Sequence, residues 1–458
     1  MIETIRQALS GSLTDFTEVQ LKRAILLLAI PMMLEMVMES LLGVVDMFWV
    51  ARLGVDSLAT VALTESILVV VFGVAMGLAT ATTAFIARRV GENDREGAGI
   101  TAVQAIVLAF AFSALVSIAG IIYGPRLLAL MGASPSVVRT GAGYTRMLLG
   151  GSITIFLLFL INAIFRGAGD PALAMRALWI ANIVNMLLDP CLIFGLGPFP
   201  RLNVLGASIA TTTGRSIGVL FQLWMLFGGF SRIRIHAHQI RIRRDVLWNL
   251  SKVGFTGAMQ TLISSASWTA LVRANATFGS AAIAGYTVAI KIFMFVVLPP
   301  WGLSGAVATM VGQNLGARKP DRAEAAVYLT GRYATYYMTA ISVIMLALAP
   351  QLASIFTSDE MVRAQAAQCL RFISLGNLSY GWGMVLVQAL NGAGDTRTPT
   401  IINFFCYWCF QIPLAYTLAL GLHLGPPGVF TAIPIAETVM TLSSLVVFRR
   451  GRWKARVI

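Results

Sequence analysis

The chain has 458 residues, of which 57% are hydrophobic and 12% charged, with a formal net charge of +14 and a mean hydropathy of +0.79. A soluble globular chain does not reach that hydropathy, so the solvent is lipid and the expected class is an all-α integral membrane protein. Four cysteines (Cys191, Cys369, Cys406 and Cys409) lie in apolar runs, and the histidines are only His236, His238 and His423; neither a disulfide framework nor a histidine-based metal enzyme is indicated, and no cofactor is expected.

Runs of about 20 apolar residues recur twelve times, starting near residues 21, 57, 98, 138, 172, 204, 246, 281, 322, 362, 399 and 428. Residues 1–20 form a polar arm. The run from about Ala24 to Val50 is too long for a signal-peptide core, so no cleaved leader is expected. Helix one carries Pro31, expected to kink it, Gly43, expected to permit a close approach, and the acids Glu35, Glu39 and Asp46. Helix two adds Glu65. Before helix five, "RGAGDP" reads as a glycine turn with Asp170 as N-cap and Pro171 in the first turn, and "NGAGDTRTPT" repeats the device before helix eleven. Helix five bears Asn182, Asn185 and Asp189; helix six bears Ser208, Thr211, Thr212 and Arg215. The longest polar interruption, 231–245, joins the halves. Helix eight holds a lone cation, Lys291, which either snorkels or pairs with a cavity acid, and Pro299 and Pro300, expected to break it locally. Helix twelve holds Glu437, and a basic tail closes the chain.

Cations assign the orientation. Odd-numbered loops hold only Arg52, Arg126, Arg139, Arg201, Arg273 and Arg363, whereas the termini and even-numbered loops are rich in Lys and Arg. Both termini are therefore expected in the cytoplasm of a cell-membrane protein. The basic charge is topology signal, so no nucleic-acid partner is expected.

Gly54 and Gly279 lie 225 positions apart, as do Gly91 and Gly316, Pro125 and Pro350, and the two "GAGD" runs. One constant offset means duplication, and six helices per copy make the copies parallel. The expected architecture is thus an arm (1–20), an N-lobe of helices one to six (21–230), a basic linker (231–245), a C-lobe of helices seven to twelve (246–450) and a tail (451–458), with a central cleft between the lobes. The offset places Gln260, Leu271 and Leu414 opposite Glu35, Asp46 and Asp189. The C-lobe has lost the acids.

Glu35, Glu39 and Asp46 are spaced i, i+4, i+11, which at 100° per residue holds them in one narrow stripe. With the polar stripes of helices five and six they imply a shared wet pocket. Two carboxyls in one poorly hydrated pocket resist ionising together, which suits a proton carrier. The same oxygens, with those of Asn185 and Thr211, also suit a bare Na⁺. The competing structural reading is a buried acid paired with Arg215 that only holds helices together.

"VVDMFWVARLG", "ARRVG", "RGAGDP", "NMLLDP" and "VGQNLGA", in this order on twelve helices, resemble the multidrug and toxic compound extrusion (MATE) transporters, specifically the DinF-like branch. The resemblance covers about Leu21 to Arg450. It implies a cation-coupled antiporter, not an enzyme, that exports organic cations and amphiphilic drugs by alternating access, with Asp46, Asn185 and Asp189 in ion coupling; Thr211, from the polar stripe of helix six, is expected in support, and a monomer is expected. Candidate cavity-lining residues are Glu35, Glu39, Glu65, Asn162, Asn182 and Arg215, with Asn162 named mainly through the resemblance. A lipid-linked oligosaccharide flippase of the same superfamily is the alternative transporter, and an intramembrane lipid enzyme the remote one.

Overall fold

The computed structural model describes residues 2–11, 14–456 and 458. Met1, Ser12 and Leu13 of the expected arm and Val457 of the expected tail lie outside the described residues. Every regular element among the described residues is helical. Helices one to six span Leu21–Ala51, Val55–Gly91, Arg95–Leu130, Pro135–Ala168 (interrupted at Gly151), Pro171–Phe194 and Val204–Gly228. Helices seven to twelve span Arg244–Ala276, Ser280–Gly316, Pro320–Ser354, Glu360–Gly392, Arg397–Gly421 and Pro426–Arg449. Each begins within three residues of its expected position. Ten are apolar enough on their own to cross a membrane. Helices seven and ten carry more polar residues, at a length of 33 residues each. An additional short helix, Ile2–Ser10, precedes helix one.

The two halves repeat in backbone detail. Gly54 and Gly279 have φ of +97° and +94°, Gly169 and Gly394 +86° and +82°, and even Asn93 and Arg318, unrelated in chemistry, share +60° and +59°. The contacts between halves repeat too. A Cβ on Gly91 would stand 2.0 Å from the Gln313 carbonyl oxygen, and one on Gly316 2.2 Å from that of Arg88; Arg88 and Gln313 are themselves 225 positions apart. Likewise a Cβ on Gly302 would meet the Met32 carbonyl oxygen at 2.5 Å, while Gly77 faces the backbone of Gly254 and Ala258. These are the crossings of helices one with eight and two with seven, related by a pseudo-twofold axis. Bare backbone is needed at these points because the chains touch there.

All these approaches lie toward the end that carries both termini. Gly43, in the other half of helix one, has nothing within 4 Å of its Cβ position, so the expected close approach there is not found. The lobes join at the terminal end and part toward the opposite end. The inner half of helix one, from Ala24 to Met32, packs into one cluster with Leu303, Val307, Met310 and Val385 of the C-lobe. Both termini strap the join. Arg322 donates to the Phe16 and Val19 carbonyls, and Lys319 to that of Thr17; in the tail, Arg88 donates to the Arg456 carbonyl while Lys454 pairs with Asp321 and Glu324.

Two expectations about caps and prolines need correction. Helix eight runs unbroken through Pro299 and Pro300. Pro300 has no N–H for the Val296 carbonyl, but the Tyr337 hydroxyl on helix nine donates to that oxygen at 3.1 Å, so a tertiary partner replaces the lost bond. Asp170 stands at the N-cap position, yet its side chain does not cap. Its carboxylate accepts from the Arg232 backbone N–H at 2.8 Å and pairs with the Arg232 guanidinium, fastening the linker to the N-lobe. Burial, first of all, holds the Asp170 carboxyl above its usual range. In the C-lobe copy, Asp395 does accept from the Thr398 N–H and hydroxyl.

Candidate ion-coupling and substrate site

Asp189 is fully buried on helix five, one residue before Pro190, with Asn185 one turn back at 3% exposure. The amide of Asn185 fits when its Nδ2 faces Asp189, donating to the two carboxylate oxygens at 3.1 and 3.2 Å, while its Oδ1 accepts from Thr211 Oγ1 on helix six at 3.3 Å. In the reverse orientation the amide oxygen would face two carboxylate oxygens, a placement that suits only a protonated acid. Asn185 is therefore the link between Asp189 and Thr211.

Asp46 is half-buried on helix one, and its Oδ1 is buried with no hydrogen-bond partner among the described residues. Its carboxylate is in electrostatic reach of Glu65 on helix two and Arg215 on helix six, and of Asp189. Tyr144 of helix four, buried at 4% exposure, faces the fields of Asp46, Glu65, Arg215 and Asp189 together. Five helices of the N-lobe thus converge. Arg215 lies over the Phe72 ring at 5.8 Å, and the close buried ion pairs among the described residues are elsewhere, at Arg166–Glu35 and Arg232–Asp170. Tyr144 was not among the residues singled out in the sequence, because a lone tyrosine in an apolar run has no local signature.

Glu39 joins this group at its inner edge: Asn182 Nδ2 donates to Glu39 Oε2 at 3.2 Å, tying helix one to helix five, and Glu39 also acts on Arg215. Glu35 stands apart. It is 2% exposed, pairs with Arg166 at 3.4 Å, and accepts from Asn162 Nδ2 at 3.1 Å; Asn162 Oδ1 in turn accepts from Gln222 at 2.7 Å. This chain of bonds locks helices one, four and six together, one level nearer the terminal end. Ser208 and Thr212 spend their hydroxyls on backbone carbonyls of their own helix.

The C-lobe contains one buried acid. Glu437 is 3% exposed and accepts from the Tyr407 hydroxyl at 3.1 Å, Tyr407 lying in a stretch of helix eleven, Phe404–Gln411, whose turns widen to π geometry. The cavity beside Glu437, walled by Trp268, Phe293, Asn377 and Tyr380, has a volume of about 10 Å³, room for one water at most. No group of three or more His, Cys, Asp or Glu among the described residues is arranged to hold a metal.

The MatE family profile matches residues 31–191 and 255–417. Among curated relatives, a "FAD transporter" of Shewanella oneidensis is 25% identical, covering 91% of this chain and 94% of its own. The "Probable multidrug resistance protein NorM" of Thermotoga maritima is 24% identical, covering 96% and 94%. A solved multidrug resistance MATE family transporter of the MOP superfamily, in an outward-facing conformation, superposes with a TM-score of 0.90 at 28% identity over 96% of this chain and 97% of that one. Matched in both halves and folded like this transporter, the chain belongs to the MatE family, whose members are transporters and not enzymes.

Proposed function

We propose that this protein is a multidrug efflux antiporter of the cell membrane, monomeric and with both termini in the cytoplasm, that exports organic cations and amphiphilic drugs in exchange for protons or Na⁺. The observation that carries this reading is the buried Asp189–Asn185–Thr211 group beside Asp46, whose Oδ1 is buried with no partner among the described residues, in a lobe whose counterpart has leucines where Asp46 and Asp189 stand. Asp46 and Asp189 are the coupling pair, with Asn185 and Thr211 in support. An amide is a donor on one side and an acceptor on the other. Asn185 therefore bonds Asp189 in either charge state, Nδ2 toward the carboxylate or Oδ1 toward the protonated acid. The unpartnered Asp46 Oδ1 is the free oxygen that a proton or Na⁺ would take.

Antiport requires that ion and drug favour different arrangements of the site. With both carboxylates ionised, repulsion opens the group to a cationic drug lined by Glu39, Glu65 and Asn182. With a shared proton or Na⁺, helices one and five close together and the drug leaves. Glu35, Asn162 and Arg166 hold the base of helix one to helix four during the change. A second reading, cargo of the dinucleotide kind named for the Shewanella relative, is favoured by the two cleft cations, Arg215 and Lys291. The test is purified protein in liposomes loaded with an ethidium-type cation, under separately imposed pH and Na⁺ gradients. Each pH unit supplies ~1.36 kcal/mol per proton. Efflux is expected to follow one of the gradients, and efflux that ignores both rejects the antiporter.

A further inference from the structure

Asp46, Asp189, Arg215 and Lys291 have uncharged counterparts in the other lobe, namely Leu271, Leu414, Met440 and Ser66. Arg146 of helix four and Arg371 of helix ten differ. They lie 225 positions apart, each 11 residues into its helix, and both are exposed. At 1.5 Å per residue each Cα is ~16 Å along its helix from the end opposite the termini, within the ~40–45 Å of a bilayer and its headgroups. The seat is the same in both lobes. A Cβ on Gly124 of helix three, beside Pro125, would stand 3.1 Å from Arg146 Cγ, and Pro350 of helix nine, the counterpart of Pro125, walls a cavity of about 470 Å³ together with Arg371. The neighbouring surface is apolar and exposed, with Ile121 and Ile122 just before Gly124 and Leu375 one turn after Arg371, so both seams face lipid. Neither guanidinium has a hydrogen-bond or ion-pair partner among the described residues. A second arginine stands nearer the helix end in each lobe, Arg139 before Arg146 and Arg363 before Arg371. Arg363 shares the cavity and pairs with Glu360 at 3.6 Å; Gln365, whose Oε1 is buried without a partner among the described residues, lines it too.

We propose that Arg146 and Arg371 mark two equivalent binding sites for the phosphate of an anionic phospholipid, in the leaflet opposite the termini. An unpaired charge in the bilayer core costs roughly 2.5–3.5 kcal/mol, and the chain supplies no partner, so the offsetting group comes from outside it. A phosphate takes two parallel charge-assisted bonds from one guanidinium, and the second arginine of each lobe meets the same headgroup from the water side. Little at either seam would hold a headgroup cation: no Asp or Glu occurs between Glu96 and Asp170, and in the C-lobe Glu360 is already paired with Arg363. An anionic headgroup therefore fits better than a zwitterionic one. An arginine that only snorkels needs no particular seat, yet this one has kept its seat through a duplication that lost the charges named above. The sites lie outside the coupling group and hold for whatever ion or cargo the protein carries.

The experiment titrates the detergent-purified protein with phosphatidylglycerol, with phosphatidylcholine of the same acyl chains, and with inorganic phosphate, and counts bound molecules by native mass spectrometry. Two tightly held phosphatidylglycerol molecules are expected on the wild type, with phosphatidylcholine and free phosphate held more weakly. Arg146→Gln and Arg371→Gln are each expected to raise the Kd of one of the two roughly tenfold, about 1.4 kcal/mol, and the double variant to raise both. Arg146→Lys and Arg371→Lys keep the charge but lose the two-bond grip; they should fall between, and they carry the test should a glutamine variant fail to fold. Unchanged phosphatidylglycerol binding in the double variant overturns the proposal. So does equal binding of phosphatidylcholine by the wild type, or binding of inorganic phosphate as tight as that of the lipid, which would make the seam a site for a free anion. An effect confined to one of the single variants overturns the site in the other lobe.

Discussion

The two lobes share a backbone and differ in chemistry. At equivalent positions the glycines of the turns keep their left-handed angles and the crossings of helices one with eight and two with seven mirror each other, while Asp46 and Asp189 face Leu271 and Leu414 in the copy. Where the N-lobe gathers four charged side chains around one tyrosine, the C-lobe has a single buried glutamate sealed by Tyr407 and a cavity for at most one water. Turn geometry and close backbone contact are demands of the fold, and both copies must meet them. An intramembrane acid is a cost to the fold, so a copy that does not use one gains by losing it. On the proposed reading, one lobe moves with the ion and the other serves as a wall and partner.

The largest expected effect falls on that asymmetry. Asp46→Asn is expected to reduce gradient-driven efflux in liposomes to background while the protein still inserts and purifies as a single species, since the change removes a titrating group and relieves a desolvation cost. Full coupled efflux in this variant would remove helix one from the mechanism. Asp189→Asn should be nearly as severe, and Glu437→Gln much milder, because glutamine keeps the bond from Tyr407. The reverse ranking, measured in the same efflux assay, would place coupling in the C-lobe. A smaller effect, on stability and not on coupling, is expected from Tyr407→Phe. Stranding the buried Glu437 costs about 1–3 kcal/mol, visible as a lower melting temperature with ion dependence of efflux retained. Changed ion dependence would mean that Glu437 takes part in transport.

Much of this asymmetry was legible in the residues alone. Helix starts follow from the apolar runs, and the duplication follows from four landmarks at one offset. The i, i+4, i+11 stripe of Glu35, Glu39 and Asp46 is a statement of azimuth, however, and says nothing of depth. Eleven residues at 1.5 Å each separate Glu35 from Asp46 by about 16 Å, enough to give Glu35 a different set of neighbours, Asn162 and Arg166. Pro299 and Pro300 carry a strong local signal for a broken helix, but the Tyr337 hydroxyl that compensates comes from another helix. Tyr144 matters only through what surrounds it. The features that escaped are those whose cause lies in a neighbour distant in the chain.

The smallest prediction concerns which lobe owns the linker. His238 Nε2 lies 3.1 Å from both carboxylate oxygens of Glu96, and Gln239 Nε2 donates to Glu96 Oε2 at 2.8 Å. Gln104 adds a second clasp, donating to the Arg241 carbonyl and accepting from the Arg243 N–H. Glu96 and Gln104 both belong to helix three, so the linker is fastened to the N-lobe and should travel with it. The bond from Gln239, then that from His238, holds the Glu96 carboxyl below its ordinary value of 4.5. A depressed acid stabilises the folded form above its unfolded pKa and loses that contribution as pH falls through the lower folded value. The clasp is therefore expected intact at pH 5 and released only in stronger acid. Glu96→Gln removes the charge at every pH, and because the group is solvent-exposed the effect should be modest, about a two- to fivefold faster hydrogen exchange at residues 236–241, with dye efflux at the wild-type rate. Exchange unchanged in the variant, or a wild-type linker that already loosens between pH 7 and pH 5, would show that Gln104 and Asp170 hold the linker without Glu96.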